Sequence, residues 1–400
     1  MIRNMAVGKH RRCEVCGAVR RTLLHWQQFI VPGVKTVVRY AIVRCVQCGF
    51  LFASPLPSQT QWNQFYKKNQ KYAYRGSGGQ IPKSLERIHQ DFFYWVVPYL
   101  HRTYRGEDTR KCKILDVGCG TGHQLSVFKK HGYRNVLGVD PAPSCRRLAR
   151  QQYGIRVKTN TISEIDGMET YDLVILQGVL EHLRDLNGSL QALAPLISEN
   201  GVLAVSVPDA QRFGRIITEP FMEFSFEHIN YFTRISLTNL LKKFGFANVA
   251  YRSTSLDSSG AYVAHSLWKK IGVHDQGPHL DKIGTAKMKT YIQKSQVKMD
   301  RVEKTINRLV KSGDKIIVWG VGSLTARLLA TTHLKRSNIL AFVDSNPGLR
   351  RKSIFGKRIY TPAYLKNRFE TVFVSSYFYG QEIKKILVEQ YRYRGKIVLI

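Results

Sequence analysis

The feature that most restricts this 400-residue chain is a short apolar run that stops on glycines, Lys113-Ile114-Leu115-Asp116-Val117-Gly118-Cys119-Gly120-Thr121-Gly122. A brief apolar stretch bounded by glycine reads as a strand buried on both faces, and such strands belong in parallel sheets. The glycines allow the backbone to pass close to a ligand before a helix starts near His123. The next apolar run, Val136-Leu137-Gly138-Val139, closes on Asp140. A carboxylate there can accept hydrogen bonds from both hydroxyls of a ribose. Asp116, Gly118, Gly120, Gly122 and Asp140 are therefore candidate cofactor-binding residues. A nicotinamide cofactor uses the same geometry. The third glycine, at 122 and not 123, departs from the G-x-G-x-x-G spacing of that class.

Strand-like runs recur at residues 135–139, 172–176 and 202–207, with helix-like segments such as 145–152 between them. Strands alternating with helices predict an α/β fold with a doubly wound, Rossmann-like parallel sheet. After a polar, helix-compatible stretch at 281–311, a second strand-glycine-helix pattern begins at Lys315 and turns at Gly320-Val321-Gly322. Thr325 stands where a dinucleotide fingerprint has its third glycine. The glycine-rich run Arg75-Gly76-Ser77-Gly78-Gly79 reads as a linker. Three modules are expected: 1–78, 79–280, and a Rossmann-like carboxyl-terminal unit at 281–400.

The first module contains two C-x-x-C pairs, Cys13/Cys16 and Cys45/Cys48, 28 residues apart and each followed by glycine. Four thiolates suit tetrahedral zinc, and a site closed in this way is structural because no position is open to substrate. With Cys112, Cys119 and Cys145 isolated, metal binding in a reducing compartment fits better than disulfides.

The formal charge is +34, with basic residues distributed through every segment. Nucleic acid, an anionic surface and acidic small molecules are all consistent with that balance. No run approaches the roughly 18 to 20 apolar residues of a membrane helix, and the amino-terminal segment lacks a signal-peptide core. A cytoplasmic location without a membrane span is the expectation.

In order along the chain, the Asp116–Gly122 loop, Asp140, Tyr171-Asp172-Leu173-Val174, Gln177-Gly178-Val179-Leu180-Glu181-His182-Leu183 and the 201–208 run resemble class I S-adenosylmethionine-dependent methyltransferases. That resemblance adds Gln177 to the cofactor residues and His182 to the catalytic candidates. The cysteine module, Pro55-Leu56-Pro57, Tyr72-Ala73-Tyr74, the Phe226-Glu227-His228-Ile229-Asn230-Tyr231-Phe232 segment and the tail from Phe342 resemble the three-domain, zinc-binding deoxyketosugar-nucleotide C-methyltransferases. The resemblance implies S-adenosylmethionine and structural zinc as cofactors, and an anionic small molecule, a nucleotide-sugar, as substrate. Carbon beside a ketone becomes nucleophilic only after a base removes its proton. His228 is the candidate base, Glu227 the residue that orients it or holds a hydroxyl, and Tyr72 or Tyr74 the donor to the enolate oxygen. Arg327, Lys352 and Arg358 are candidates to hold a diphosphate at the second glycine turn. The alternatives are an RNA methyltransferase using the basic surface, and a methyltransferase acting on oxygen or nitrogen of another small molecule.

Overall fold

The computed structural model describes residues 10–32, 37–68, 83–165, 169–256, 260–272 and 277–400. The chain opens with an antiparallel meander, β1 (Arg21–Phe29), β2 (Val38–Cys45) and β3 (Leu51–Ser54), followed by helix α1 (Gln59–Lys68). Nearly every residue of β2 and β3 is buried, so both faces of this small sheet are covered by the rest of the protein.

The central unit contains α2 (Lys83–Thr103), β4 (Ile114–Val117), α3 (His123–Lys130), β5 (Val136–Val139), α4 (Pro143–Tyr153), β6 (Val157–Lys158), β7 (Tyr171–Gln177), α5 (Leu186–Leu193), β8 (Ile197–Pro208), β9 (Asn230–Tyr231), α6 (Arg234–Lys242), β10 (Phe246–Leu256) and β11 (Ala261–Lys270). Its seven-stranded sheet runs β10-β11-β8-β7-β4-β5-β6. The five strands from β8 to β6 are parallel, and β11 and β10 close the far side antiparallel. Alternate residues point to opposite faces of a strand. Accordingly, Leu115, Val174 and Leu176 enter one apolar core, whereas Ile114, Leu173 and Ile175 enter the other. The chain leaves β4 towards β5 and β6, then returns to β7 and β8 on the opposite side. This reversal opens a crevice at the carboxyl end of β4, where ligands of open α/β sheets are held.

The last unit repeats the plan with α7 (Lys282–Ser312), β12 (Lys315–Trp319), α8 (Ser323–Thr331), β13 (Asn338–Val343), β14 (Ser353–Ile354), β15 (Lys357–Tyr360), β16 (Thr371–Val374), α9 (Gly380–Lys385) and β17 (Ile397–Leu399). Its sheet order is β14-β15-β13-β12-β16-β17, again reversing at the first strand. Asp344 follows β13 as Asp140 follows β5. Its carboxylate accepts from the amides of Val321 (2.7 Å) and Asn346 (2.8 Å).

The three units interlock. β9, from the central segment, is the fourth strand of the amino-terminal sheet, paired with β3. Asp281 donates its amide to the Cys48 carbonyl at 2.9 Å. Gly49 has φ +78°, and a Cβ there would strike the carbonyl of Asp281. The glycine after the second cysteine pair is therefore needed both for its left-handed backbone and for this close approach. Arg327, expected at a diphosphate, is instead only 3 % exposed. Its guanidinium donates to Gln27 Oε1 at 3.0 Å and to the carbonyls of Phe224 (2.5 Å) and Pro220 (3.4 Å). It also lies over the rings of Phe29 and Phe221. One arginine of the third unit thus ties the first unit to the 220–224 loop. Both terminal nitrogens of its guanidinium are committed to protein acceptors, and Nε is buried without a partner.

Candidate active site and cysteine cluster

The loop after β4 holds Gly118, Gly120 and Gly122 at φ +78°, +52° and +75°. Each does something different. A Cβ on Gly118 would come within 2.6 Å of Val179 Cγ2, whereas one on Gly120 would project into open space. Gly122 caps α3 and packs against Ala149 and Ile155, away from the crevice. Asp140 Oδ2 accepts from the Gly120 amide at 3.0 Å, and Oδ1 from the Ala142 amide at 2.9 Å. The carboxylate, which also takes a hydrogen bond from the Cys145 thiol, keeps further acceptor capacity for ribose hydroxyls. Asp116 is buried inside β4, and desolvation, reinforced by the nearby Asp140, pushes its carboxyl up to about 7.

A cleft of about 1080 Å³, including its solvent-filled mouth, opens over this loop. Gly118, Gly120, Asp140 and Val179 form its floor, and Trp62, Tyr66 and His182 form a wall. Trp62 and Tyr66 come from α1, and Trp62 Nε1 donates to the His182 carbonyl at 2.8 Å. The amino-terminal unit therefore builds part of the cleft as well as holding cysteines. Asp116, Gly122 and Gln177 do not line it, and Gln177 Oε1 is buried without a hydrogen-bond partner. The left-handed glycines, the space above Gly120 and the spare acceptors of Asp140 fit an adenosyl ligand.

At the wall, the turn Leu180–His182 meets the 225–229 segment. His182 Nδ1 lies 2.9 Å from the Glu227 carbonyl, so that nitrogen carries a proton and donates it. The rings of His182 and His228 meet edge to face, with centroids 4.9 Å apart. Glu227 is buried. Glu181 is buried beside His182, and desolvation pushes its carboxyl up to about 8. Burial likewise raises Glu223 to about 7. Three of the residues proposed from sequence, His182, Glu227 and His228, thus lie together. Tyr72 and Tyr74 are outside the described residues. Trp62, Tyr66 and the 160–163 loop also line the cleft, and no motif in the sequence marked them as site residues.

The four sulfurs of Cys13, Cys16, Cys45 and Cys48 all lie within 4.8 Å of one another. The pairs Cys13/Cys48 and Cys16/Cys45 are 3.5 and 3.4 Å apart. Four sulfurs about 2.3 Å from zinc form a tetrahedron with edges of about 3.8 Å, so the cluster fits that ion with small adjustments. It shares its apolar surroundings with α5 and α6, including Leu186, Leu190 and Leu240. Among the described residues no helix is long and apolar enough to cross a membrane.

Comparison with known proteins assigns the central unit. Residues 87–251 match a family model described as a methyltransferase domain, and residues 312–398 match one described as C2185-like, N-terminal. The chain is 31 % identical over 99 residues to a ubiquinone biosynthesis O-methyltransferase of Rhodopseudomonas palustris, covering 24 % of this chain and 39 % of that one. It is 29 % identical over 144 residues to the protein of that name from Rickettsia prowazekii, covering 34 % and 56 %. The chain thus spans about two fifths to just over half the length of these curated relatives. Among solved structures, magnesium protoporphyrin IX methyltransferase from Synechocystis with bound S-adenosylhomocysteine aligns at TM-score 0.42 and 16 % identity, covering 54 % of this chain and all of that one. The central unit is a methyltransferase domain on a Rossmann-like sheet.

Proposed function

We propose that this chain, with its methyltransferase domain at 87–251, is an S-adenosylmethionine-dependent methyltransferase of a small anionic molecule, forming a carbon–carbon bond next to the ketone of a nucleotide-activated sugar. The cofactor would be held by the Gly118–Gly120 loop and Asp140. When bound, it supplies an electrophilic methyl group on a sulfonium. The observation that carries the reading is the pairing of this cleft with His182 at its wall, whose ring contacts the Glu227 carbonyl and the His228 ring just behind the lining.

In this reading His228 removes the proton from the carbon beside the ketone, leaving an enolate that attacks the methyl. The Glu227 carbonyl fixes the His182 ring through Nδ1, and the edge-to-face contact with that ring sets the orientation of His228. Trp62 and Tyr66 close the wall and exclude water, which would otherwise reprotonate the enolate. Tyr72 and Tyr74 remain proposed donors to the enolate oxygen. The basic surface, formally +34 overall, draws in a diphosphate-bearing substrate. The four-cysteine cluster would hold structural zinc, stabilising the sheet from which α1 reaches the cleft.

Replacing His228 by alanine tests the base. Turnover on a nucleotide-activated ketosugar is expected to fall about 10²- to 10⁴-fold with cofactor affinity near wild type. A variant with unchanged turnover would remove His228 from this role.

A further inference from the structure

Glu181, His182 and His228 present ligand atoms that all lie within 4.8 Å of one another. Two imidazoles and one carboxylate are a first-row transition-metal donor set. We propose that this triad is a second metal site, distinct from the four cysteines, which takes a divalent ion of the zinc class and inhibits the enzyme when filled.

Three observations support this site. Glu181 is only 3 % exposed, and its Oε2 is buried without any hydrogen-bond partner, a polar atom left unsatisfied where that is costly; a bound ion would displace the proton that burial favours on this carboxyl. Glu181 Oε1 lies 4.0 Å from His182 Nε2, so the carboxyl group and the second ring nitrogen are on the same side. His182 also has the support of a metal-binding histidine: its other nitrogen donates to a backbone carbonyl, that of Glu227, at 2.9 Å. Donors bound at about 2.1 Å stand roughly 3.0 to 3.5 Å apart around one ion. His228 is only partly buried, and binding would draw the three donors from within 4.8 Å of one another to that spacing.

The consequence for activity follows from the lone pair. A metal on His228 takes the electron pair that would accept the substrate proton, and the ion occupies the wall of the cleft that His182 lines. Excess zinc should therefore switch the enzyme off while leaving the cysteine site as it was. The inhibitory part rests on His228 as the base; the site itself does not.

The test uses full-length, tag-free protein and zinc ion as the probe. After equilibration with micromolar zinc and removal of free metal, the wild type is expected to hold two equivalents by atomic emission. Glu181→Gln and His182→Asn should each hold one, with melting temperatures showing that they remain folded. In titrations, either substitution should weaken the second site at least tenfold. Initial rates should fall as the second equivalent binds and recover with a chelator too weak to strip four thiolates. A wild type that never exceeds one equivalent, or a second equivalent retained by both variants, would overturn the site. Rates that rise as the second equivalent binds would overturn its inhibitory role. The metal count needs no substrate, so failure of the sugar assignment would leave it intact.

Discussion

At the scale of single residues, Asp140 and Gly118 carry the most specific expectations. Asp140 holds two loop amides and offers its remaining acceptors to the cleft. Asp140→Ala should weaken S-adenosylmethionine binding by about 1.5 to 3 kcal/mol, the range for hydrogen bonds to a charged group. Calorimetry giving an unchanged dissociation constant in a folded variant would place the ribose elsewhere. Gly118→Ala meets two obstacles, a left-handed φ and Val179 Cγ2 at 2.6 Å from the new Cβ. It should lower stability by at least about 1 to 2 kcal/mol, seen as a reduced urea midpoint; an unchanged midpoint would show that the loop relaxes freely. Both residues were legible in the sequence because a glycine after a buried strand and an acid at the end of the next one have few other uses. Glu181 was not. Its role arises from a turn that brings it against residues 45 or more positions away, which no local pattern encodes.

At the scale of elements, the cysteine pairs and the buried histidine of β11 can each be tested in isolation. Cys45→Ser removes one of four ligands and should drop the zinc content of the amino-terminal cluster while destabilising β1 to β3, because that sheet has little core of its own. Full zinc retention by the variant would contradict the assignment. His265 lies between Ser206 Oγ (2.8 Å from Nδ1) and Thr254 Oγ1 (3.0 Å from Nε2), bridging β8, β11 and β10. Desolvation, aided by Arg252, holds its imidazole down at about 3 against an ordinary 6.5. As pH falls through that window, the unfolded chain takes up a proton here that the folded chain refuses. This position therefore contributes stability that is present above about pH 6.5 and declines by up to about 1.4 kcal/mol per unit below it. Compared with His265→Gln, the wild type should lose its advantage steadily between pH 6.5 and 5 in urea titrations. A difference independent of pH would show that His265 titrates normally. The antiparallel pair β10 and β11 was not marked by the glycine-strand rhythm that revealed β4, β5, β7, β8 and β12, since hairpin strands lack the long apolar runs of parallel ones.

At the scale of the whole molecule, the units lock together in ways that a modular sequence pattern does not encode. Boundaries drawn at 78 and 280 follow a glycine-rich linker and a change of periodicity. The structure nevertheless threads β9 into the first sheet, seats the start of α7 on Cys48, and buries Arg327 among all three units. An arginine in a helix after a glycine turn reads as an anion ligand, and only the tertiary arrangement shows its two terminal nitrogens satisfied by Gln27, Pro220 and Phe224. Arg327→Ala would leave these three acceptors unmet and should destabilise the protein by about 3 kcal/mol or more. Because it holds the 220–224 loop just before Glu227 and His228, the variant should also lose turnover out of proportion to cofactor affinity. A variant with wild-type stability and turnover would show that the units fold and act independently.

The central claim is methyl transfer to carbon through an enolate. The most direct measurement follows a nucleotide-activated ketosugar, deuterated beside its ketone, during turnover with S-adenosylmethionine carrying a carbon-13 methyl group. A new carbon–carbon bond to the labelled methyl is expected by nuclear magnetic resonance, with the deuterium lost to solvent from the wild type and retained in His228→Ala. Labelled methyl on oxygen with the deuterium still in place, or methyl transfer to RNA and to no sugar nucleotide, would contradict it.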